Sequence, residues 1–278
     1  MSVGVIGLGN IGKPMAVQLL KLGEELWVYD LAAAPVAELV ARGARPAANV
    51  RELAAHCQLI GICVRDEPEV DALLQGPGGL LAQAHPQALL AVHSTVTVAA
   101  IRRWAGEAQA RQLQLIDAPV TGGASAAEAG TLTYMVGGAP QLLERCRAAF
   151  MTSGQKLLHA GPVGAGILLK LCNNLMTYAA FSAAGEAVRL ARAGDLTESL
   201  LLEVGRSNGV VTPQMEAFLR NRRQLGSAGA LARTFAPFAA LARKDLGAAL
   251  DSARELGVSL PATECVHGII EQVFLEQQ

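Results

Sequence analysis

Three glycines near the start of the chain have the spacing that binds a diphosphate. Residues 7–12 follow a GxGxxG pattern, directly after the apolar run Val3–Ile6 and at the start of a helical pattern. In such a loop the first glycine allows a tight turn, the second lets backbone approach a pyrophosphate, and the third allows close helix–strand packing. The N-terminus of the helix attracts the diphosphate. The loop predicts dinucleotide binding by Gly7, Leu8, Gly9, Asn10, Ile11 and Gly12; a glycine turn without ligand is the alternative.

Asp30 ends the second apolar run. Its distance along the chain from Gly12 is close to the spacing of about 20 residues at which an acidic side chain binds the adenosine ribose. A carboxylate there accepts hydrogen bonds from both ribose hydroxyls and repels a 2′-phosphate. Leu31 and the alanines at 32–34 supply no cation for that phosphate. The pattern predicts NAD rather than NADP, with a solvated acid at a strand end as the alternative.

Polar and glycine residues follow a later strand at positions 117–123. The Thr121 hydroxyl and the N–H groups of Gly122 and Gly123 can form a small anion-binding nest. Doubly wound sheets bind their ligands beyond the carboxyl ends of strands. A glycine loop that only turns the chain is the alternative, and the sequence leaves both open.

Gly166, Lys170 and Asn174 recur every four residues in a long helical pattern, so they share one helix face. Because their neighbours are apolar, we expect Lys170 to be partly buried, with a lowered pKa that suits proton transfer. Gly166 would leave room on that face for a cofactor or substrate. A solvated lysine is the alternative.

Lys244 and Asp245 lie within another helical pattern. Lys244 could hold a carboxylate or lower the pKa of Lys170 further. An ordinary exposed charge pair is the alternative.

Short apolar runs alternate with helical patterns in the first half of the chain, which predicts parallel βαβ units in a doubly wound sheet. The strands are expected at Val3–Ile6, Leu26–Tyr29, Leu59–Val64, Ala88–Val92, Leu113–Ile116 and Thr133–Val136, and helices near 14–21, 35–42, 98–107 and 140–150. The near-continuous hydrophobicity of these runs is what strands covered on both faces require.

Beyond about residue 160 only helical patterns remain. A long helix is expected over 165–193 with Gly194 as its left-handed stop. Asp195 with Glu198 resembles a capping box, and Thr212 before Pro213 predicts an N-cap. Further helices are expected at 238–256, ended by Gly257, and at 262–274. We therefore predict an N-terminal Rossmann-type domain, 1–162, joined by a long helix to an all-helical substrate and oligomerisation domain, 163–278.

Composition limits the classes of function. The 278 residues are 51% hydrophobic with a formal net charge of −1, which argues against nucleic-acid binding. Five scattered cysteines without a CxxC pair favour a reducing compartment, and the five histidines lack metal-ligand spacing. No apolar run is long enough to span a membrane. We expect a cytoplasmic protein with no metal, nucleic-acid or membrane partner.

Four segments together resemble the β-hydroxyacid dehydrogenase family, which includes 3-hydroxyisobutyrate dehydrogenase and tartronate semialdehyde reductase. The segments are residues 7–16, residues 117–123, Gly166 with Lys170, Asn173 and Asn174, and residues 244–246, in this order along nearly the whole chain. The resemblance implies that Lys170 is catalytic, that Asn174 assists it, and that Lys244 approaches cofactor and substrate. It also implies that Thr121, Gly122 and Gly123 bind the substrate carboxylate, and that Val64 and Thr95 contact the cofactor. Thr121 stands where the family usually has serine, which keeps the hydroxyl and narrows the pocket.

The expected activity is hydride transfer between NAD and a small β-hydroxy acid, giving a semialdehyde or keto acid. An NADP-linked carbonyl or imine reductase on the same scaffold is one alternative, against which Lys170 argues. A non-catalytic dinucleotide-binding protein is the other. Small residues on the long helix, at 179, 180, 183, 184 and 187, permit close helix packing, and a homodimer or homotetramer is expected.

Overall fold

The computed structural model describes residues 2–225 and 228–276. They form two compact units, which divide between Lys170 and Leu171. The division lies inside the helix Ala165–Ala193, whose bounds match the prediction. The domain boundary expected from the sequence, at 162/163, precedes this helix.

The first unit is built on a sheet whose central strands are parallel. They are β1 (Val3–Ile6), β2 (Leu26–Tyr29), β3 (Arg45–Pro46), β4 (Leu59–Ile62), β5 (Leu89–Val92) and β6 (Gln114–Asp117), in the spatial order β3-β2-β1-β4-β5-β6. Every residue of β1, β4 and β5 is buried, as strands covered on both faces require. The predicted doubly wound fold is confirmed. Its strand order reverses between β1 and β4, the point at which such sheets bind ligands.

The sheet continues past β6 with strands of mixed direction. β8 (Leu132–Gly137) runs antiparallel to β6 and to β7 (Val120–Thr121), and β9 (Gly154–Gly161) pairs with β8 in parallel. The prediction that the run Thr133–Val136 belongs among the parallel strands is wrong in direction, because hydrophobicity does not encode strand direction. The sequence also does not predict β9, most of whose residues are exposed or half-buried.

Helices cover the sheet of the first unit. They are α1 (Gly12–Leu19), α2 (Ala33–Val40), α3 (Val50–His56), α4 (Glu67–Leu74), α5 (Leu80–Gln83), α6 (Val98–Gln109), α7 (Gly123–Ala129) and α8 (Pro140–Ser153), and a 3₁₀ turn, Leu20–Leu22, follows α1. The sequence predicts α1, α2, α6 and α8 to within a few residues. It does not predict α3, α4, α5 or α7, although Asn49 and Asp66 cap α3 and α4 by accepting an N–H from Glu52 and Glu69.

Helices account for the second unit. It contains α9 (Ala165–Ala193) from Leu171 onward, α10 (Glu198–Ser207), α11 (Pro213–Gln224), α12 (Ala228–Glu255) and α13 (Pro261–Leu275). The ring of Phe218 stacks on Phe181 at 4.3 Å between centroids and meets Phe274 edge-on at 5.4 Å, which forms the centre of this unit's core. The predicted helix 238–256 is too short, because α12 continues through Pro237, a residue that usually ends a helix.

The end of α9 differs in detail from the prediction. Asp195, at φ +59°, is the left-handed residue, rather than Gly194. The Leu196 N–H donates to the Ala191 carbonyl at 2.9 Å and the Asp195 N–H to Arg192 at 3.1 Å, which is the Schellman pattern with aspartate at C′. The N-cap of α10 is Thr197, and the predicted capping role of Asp195 is wrong.

Other predicted helix ends are confirmed. Thr212 caps α11 ahead of Pro213 by accepting the Met215 N–H. Gly257, at φ +69°, ends α12. Within residues 2–225 and 228–276, no helix is long and apolar enough to cross a membrane.

His93, after β5, lies inside the core of the first unit. Its Nδ1 lies 2.8 Å from the Ala118 carbonyl oxygen, so the neutral ring carries its proton on Nδ1 and donates there. The ring meets Phe150 edge-on at 5.4 Å between centroids. Burial lowers the pKa of His93 to about 4, against an opposing contribution from the Ala118 carbonyl.

We expect acid to destabilise the first unit through His93. The unfolded chain takes up a proton near the ordinary histidine pKa of 6.5, whereas the folded chain does so only at about 4. The free energy of unfolding should therefore fall between these two pH values, by up to about 3 kcal/mol. Urea unfolding across this range measures the slope for the wild type, for His93→Gln and for the exposed His85→Gln. The slope should shrink in His93→Gln and persist in His85→Gln; equal slopes in all three would contradict the assignment.

Candidate active site

The GxGxxG loop has the features expected of its three glycines, which are a tight turn, an open approach to the backbone and close helix packing. Gly7 turns with φ +90°, and a Cβ there would collide with the Cys63 carbonyl. A Cβ on Gly12 would collide with the Gly7 carbonyl, so the third glycine permits close packing of α1 against the β1 turn. A Cβ on Gly9 would meet nothing within 4 Å. The second glycine thus leaves an open approach to the backbone, which fits a dinucleotide diphosphate.

Asp30 is tied to this loop. Its Oδ2 accepts the Leu8 N–H at 2.6 Å and its Oδ1 accepts the Ala32 N–H at 2.7 Å. Each carboxylate oxygen can accept a second bond, so the half-buried side chain keeps acceptor capacity for ribose hydroxyls. Leu31, the next residue, is 93% exposed.

Val64 and Thr95 follow neighbouring strands of the same sheet, β4 and β5. Ser94 joins the two strand ends: its Oγ donates to the Val64 carbonyl at 2.7 Å and accepts the Val64 N–H at 3.0 Å. A Cβ on Gly7 would lie 3.0 Å from Val64 Cγ1, which puts Val64 beside the glycine loop. Thr95 is half-buried. The sequence did not single out Ser94, because a hydroxyl that braces two strands has no local signature.

Thr121, Gly122 and Gly123 form the turn between β7 and α7. Thr121 pairs with Thr133 of β8 and is half-buried. Both glycines are exposed and have positive φ, +127° and +74°. A Cβ on Gly123 would meet nothing within 4 Å, so one side of this turn is open.

The start of α9 is held by a buried carboxylate. Asp117, 0% exposed, accepts the Gly164 N–H at 2.8 Å on Oδ1 and the Ile167 N–H at 2.7 Å on Oδ2. Burial raises the pKa of Asp117, although these N–H groups act in the opposite direction.

Gly166 allows the start of α9 to pack closely against β8. A Cβ there would collide with the Met135 carbonyl and would lie 2.8 Å from the Gly137 nitrogen of β8. The expectation that Gly166 leaves room for a cofactor or substrate is therefore wrong, because the space beside it is filled by β8 and Asp117.

Lys170 and Asn174 follow on α9. Lys170 is half-buried, as predicted, and Asn174 is only 7% exposed. Asn174 Nδ2 donates to Asp245 Oδ2 at 2.8 Å, so its amide is held by α12.

Asp245 is a buried acid with several partners. It is 3% exposed, and its Oδ1 lies 2.8 Å from Lys244 Nζ, whose side chain is 24% exposed. The Tyr178 hydroxyl donates to Asp245 Oδ2 at 3.2 Å. Burial and the charge of Asp245 raise the pKa of Tyr178, which therefore remains a donor. The alternative of an ordinary exposed pair is wrong for Asp245.

The candidate site residues form one group in each unit. In the first unit, the glycine loop, Asp30, Val64 and Thr95 all lie beyond the carboxyl ends of β1, β2, β4 and β5. In the second unit, Asp245 joins Asn174 and Lys244. Sequence reasoning named Asp245 only as the neighbour of Lys244, without a role, and did not name Tyr178; the available signal was an acid and a hydroxyl within otherwise apolar helix faces.

The sequences of known proteins agree with this organisation. Residues 2–161 match a family model described as the NAD binding domain of 6-phosphogluconate dehydrogenase, and residues 164–278 match one described as NAD-binding of NADP-dependent 3-hydroxyisobutyrate dehydrogenase. The chain is 34% identical over 275 residues to 2-(hydroxymethyl)glutarate dehydrogenase of Eubacterium barkeri, covering 98% of this chain and 88% of that protein. The chain belongs to the β-hydroxyacid dehydrogenase family.

Other members of the β-hydroxyacid dehydrogenases are similar over nearly the whole chain. The NAD-dependent L-serine dehydrogenase of Pseudomonas aeruginosa is 35% identical over 260 residues, which cover 93% of this chain and 87% of that one. A solved structure of 3-hydroxyisobutyrate dehydrogenase from Mycobacterium tuberculosis with L-serine superimposes with a TM-score of 0.83 at 26% identity, covering 98% and 92% of the two chains. This protein is thus an oxidoreductase that acts on CH–OH groups and has NAD(P)-binding domains.

Proposed function

We propose that this β-hydroxyacid dehydrogenase acts with NAD on a small, 3-hydroxyisobutyrate-like acid, giving the semialdehyde or keto acid. The observation that carries the proposal is the pairing, one turn apart on α9, of a half-buried Lys170 and a buried Asn174 whose amide is held by Asp245. Burying the Asn174 amide costs free energy unless it is hydrogen-bonded, and Asp245 supplies that partner. The named relatives act on small hydroxy acids, which agrees with this substrate class.

The first unit would hold the dinucleotide. Gly7, Leu8, Gly9, Asn10, Ile11 and Gly12 would bind the diphosphate, Asp30 the adenosine ribose, and Val64 and Thr95 would line the cofactor. When bound, the nicotinamide supplies the acceptor or donor of hydride. Residues 1–162 are proposed as the dinucleotide-binding domain and 163–278 as the substrate and oligomerisation domain.

The chain's own groups would bind the substrate and move its proton. The Thr121 hydroxyl and the N–H groups of Gly122 and Gly123 would bind the carboxylate, with Lys244 as a further cation. Lys170 would accept the proton of the substrate hydroxyl during oxidation and return it in the reverse direction. Asn174 would accept a hydrogen bond from the reacting hydroxyl or from the Lys170 ammonium, which orients the proton transfer.

Lys170→Ala should remove most turnover and leave NADH binding nearly unchanged, because the lysine transfers a proton and does not bind the dinucleotide. We expect kcat to fall by about 10²–10⁴-fold. Rates with a panel of β-hydroxy acids, and NADH fluorescence titration, measure the two properties. The exposed Lys156→Ala is the matched control and should behave as wild type. Persisting activity in Lys170→Ala would remove its role as base, and a wild type that oxidises no panel member would favour dinucleotide binding without catalysis.

NAD should be preferred over NADP, because Asp30 faces the glycine loop with spare acceptor capacity and the exposed Leu31 offers no cation. Leu31→Arg should raise kcat/KM with NADP about tenfold by adding a guanidinium for the 2′-phosphate, with little change for NAD. Initial rates with both cofactors test this, and Leu31→Gln controls for loss of the leucine. A wild type that prefers NADP would refute the assignment.

A homodimer or homotetramer is proposed from exposed apolar side chains in the second unit: Met176, Leu190, Val204 and Val210 are 68%, 77%, 56% and 65% exposed. Among the alanines of α9, those at 184 and 180 belong to or pack against the core, whereas those at 179 and 183 are exposed and permit close approach of another helix. Sedimentation at micromolar concentration should show no monomer peak; a monomer alone would contradict the proposal. A cytoplasmic location is proposed because the five cysteines are all free thiols.

A further inference from the structure

Asp245 joins two proposed site residues to a third residue that has no assigned role. Asn174 Nδ2 and the Tyr178 hydroxyl both donate to its Oδ2, at 2.8 and 3.2 Å, and Lys244 Nζ lies 2.8 Å from its Oδ1. Asp245 is 3% exposed, so these groups replace water as its partners. All four side chains belong to the second unit and come from only two helices, α9 and α12.

This arrangement determines which end of the Asn174 amide is available. A carboxylate only accepts hydrogen bonds, so Asn174 must turn its Nδ2 toward Asp245 and its Oδ1 away. The nearby Asn173 Nδ2 approaches that Oδ1 only at 3.4 Å, which is long for an N–H···O bond. Asn174 therefore presents an acceptor, which suits a hydroxyl or an ammonium and not a carbonyl oxygen.

Tyr178 ties the carboxylate to the core. It lies one turn beyond Asn174 on α9, and its ring packs edge-on against Phe274 at 6.5 Å between centroids. Its hydroxyl and the Asn174 amide converge on one oxygen of Asp245, which restricts rotation of the carboxylate. The orientation of Asn174 is thus coupled to an aromatic ring packed in the core.

We propose that Asp245, steadied by Tyr178, is a positioning residue that orients Asn174 as a hydrogen-bond acceptor for proton transfer and holds Lys244 beside it. The proposal rests on the proposed function, since it assigns Asp245 a part in the same reaction. The competing role is structural, in which Asp245 only links α9 to α12.

Steady-state kinetics of five variants separates the two roles. The variants are Asp245→Asn, Tyr178→Phe, Asn174→Ala, the double variant Asn174→Ala/Asp245→Asn, and Asp251→Asn as the matched control. Asp251 lies on α12 with a half-exposed side chain that pairs with Arg254, so its substitution should leave the kinetics unchanged. Thermal unfolding of each variant shows whether it is folded at the assay temperature.

Asp245→Asn should lower kcat about 30-fold, because the Asn174 amide loses its fixed orientation. It should also raise KM for the acid through Lys244. Tyr178→Phe should lower kcat less, by about threefold. Since Asp245 acts on kcat through Asn174, the double variant should have the kcat of Asn174→Ala alone. Multiplied losses in the double variant, or a wild-type kcat in folded Asp245→Asn, would overturn the proposal.

A measurement without substrate or cofactor tests the contact itself. With ¹⁵N-labelled asparagine side chains, the Asn174 amide signal is identified by its absence in Asn174→Ala. One of its protons should resonate downfield in the wild type and move upfield in Asp245→Asn, and to a smaller extent in Tyr178→Phe. An unmoved signal would overturn the proposal. A wild type that oxidises no β-hydroxy acid would instead overturn the proposed function, and it would be distinguishable because the amide signal still moves.

Discussion

The carboxylate of Asp117 at the start of α9 is the constraint on which the placement of Lys170 in the first unit depends. The backbone N–H groups of Gly164 and Ile167 donate hydrogen bonds to its oxygens. Gly166 has no side chain and so lets the helix pack against the backbone of β8. The first turn of a helix has N–H groups without intrahelical partners, so a fully buried acid at the carboxyl end of β6 is a strong acceptor for them. The position of Lys170, one turn further along, follows from this contact.

A second buried acid has the corresponding role in the other unit. Asp245 holds Asn174, Tyr178 and Lys244, which come from two helices. A buried carboxylate is costly unless each oxygen finds a donor or a cation, so its partners cannot be exchanged independently. Because each buried acid needs particular partners, it fixes the geometry of the groups that bind it. Asp117 holds backbone one turn before Lys170, and Asp245 holds the Asn174 side chain directly.

The dinucleotide loop shows how far residue types can predict a site. The positive φ of Gly7 and the close packing at Gly12 follow from glycine chemistry and spacing, and the structure has both. Gly166 shows the limit. Its spacing from Lys170 and Asn174 correctly indicates a shared helix face, but whether a ligand or β8 occupies the space beside a glycine depends on long-range packing. The same limit explains β8, whose direction depends on its partners β6 and β7 and not on its own residues.

From the amino-acid sequence alone one obtains the alternation of strands and helices, the family, the glycine loop with Asp30, and the identity of Lys170 and Asn174 as candidates. These depend on local periodicity and on backbone freedom within a few residues, which short segments encode. The tertiary structure alone decided that Asp117 holds α9, that β8 fills the space beside Gly166, and that Asp245 orients Asn174. The first and the last depend on a polar group finding its partner 47 to 71 residues away in the chain, because burial leaves it no water to bind. The second depends on close packing between segments that are far apart in the sequence.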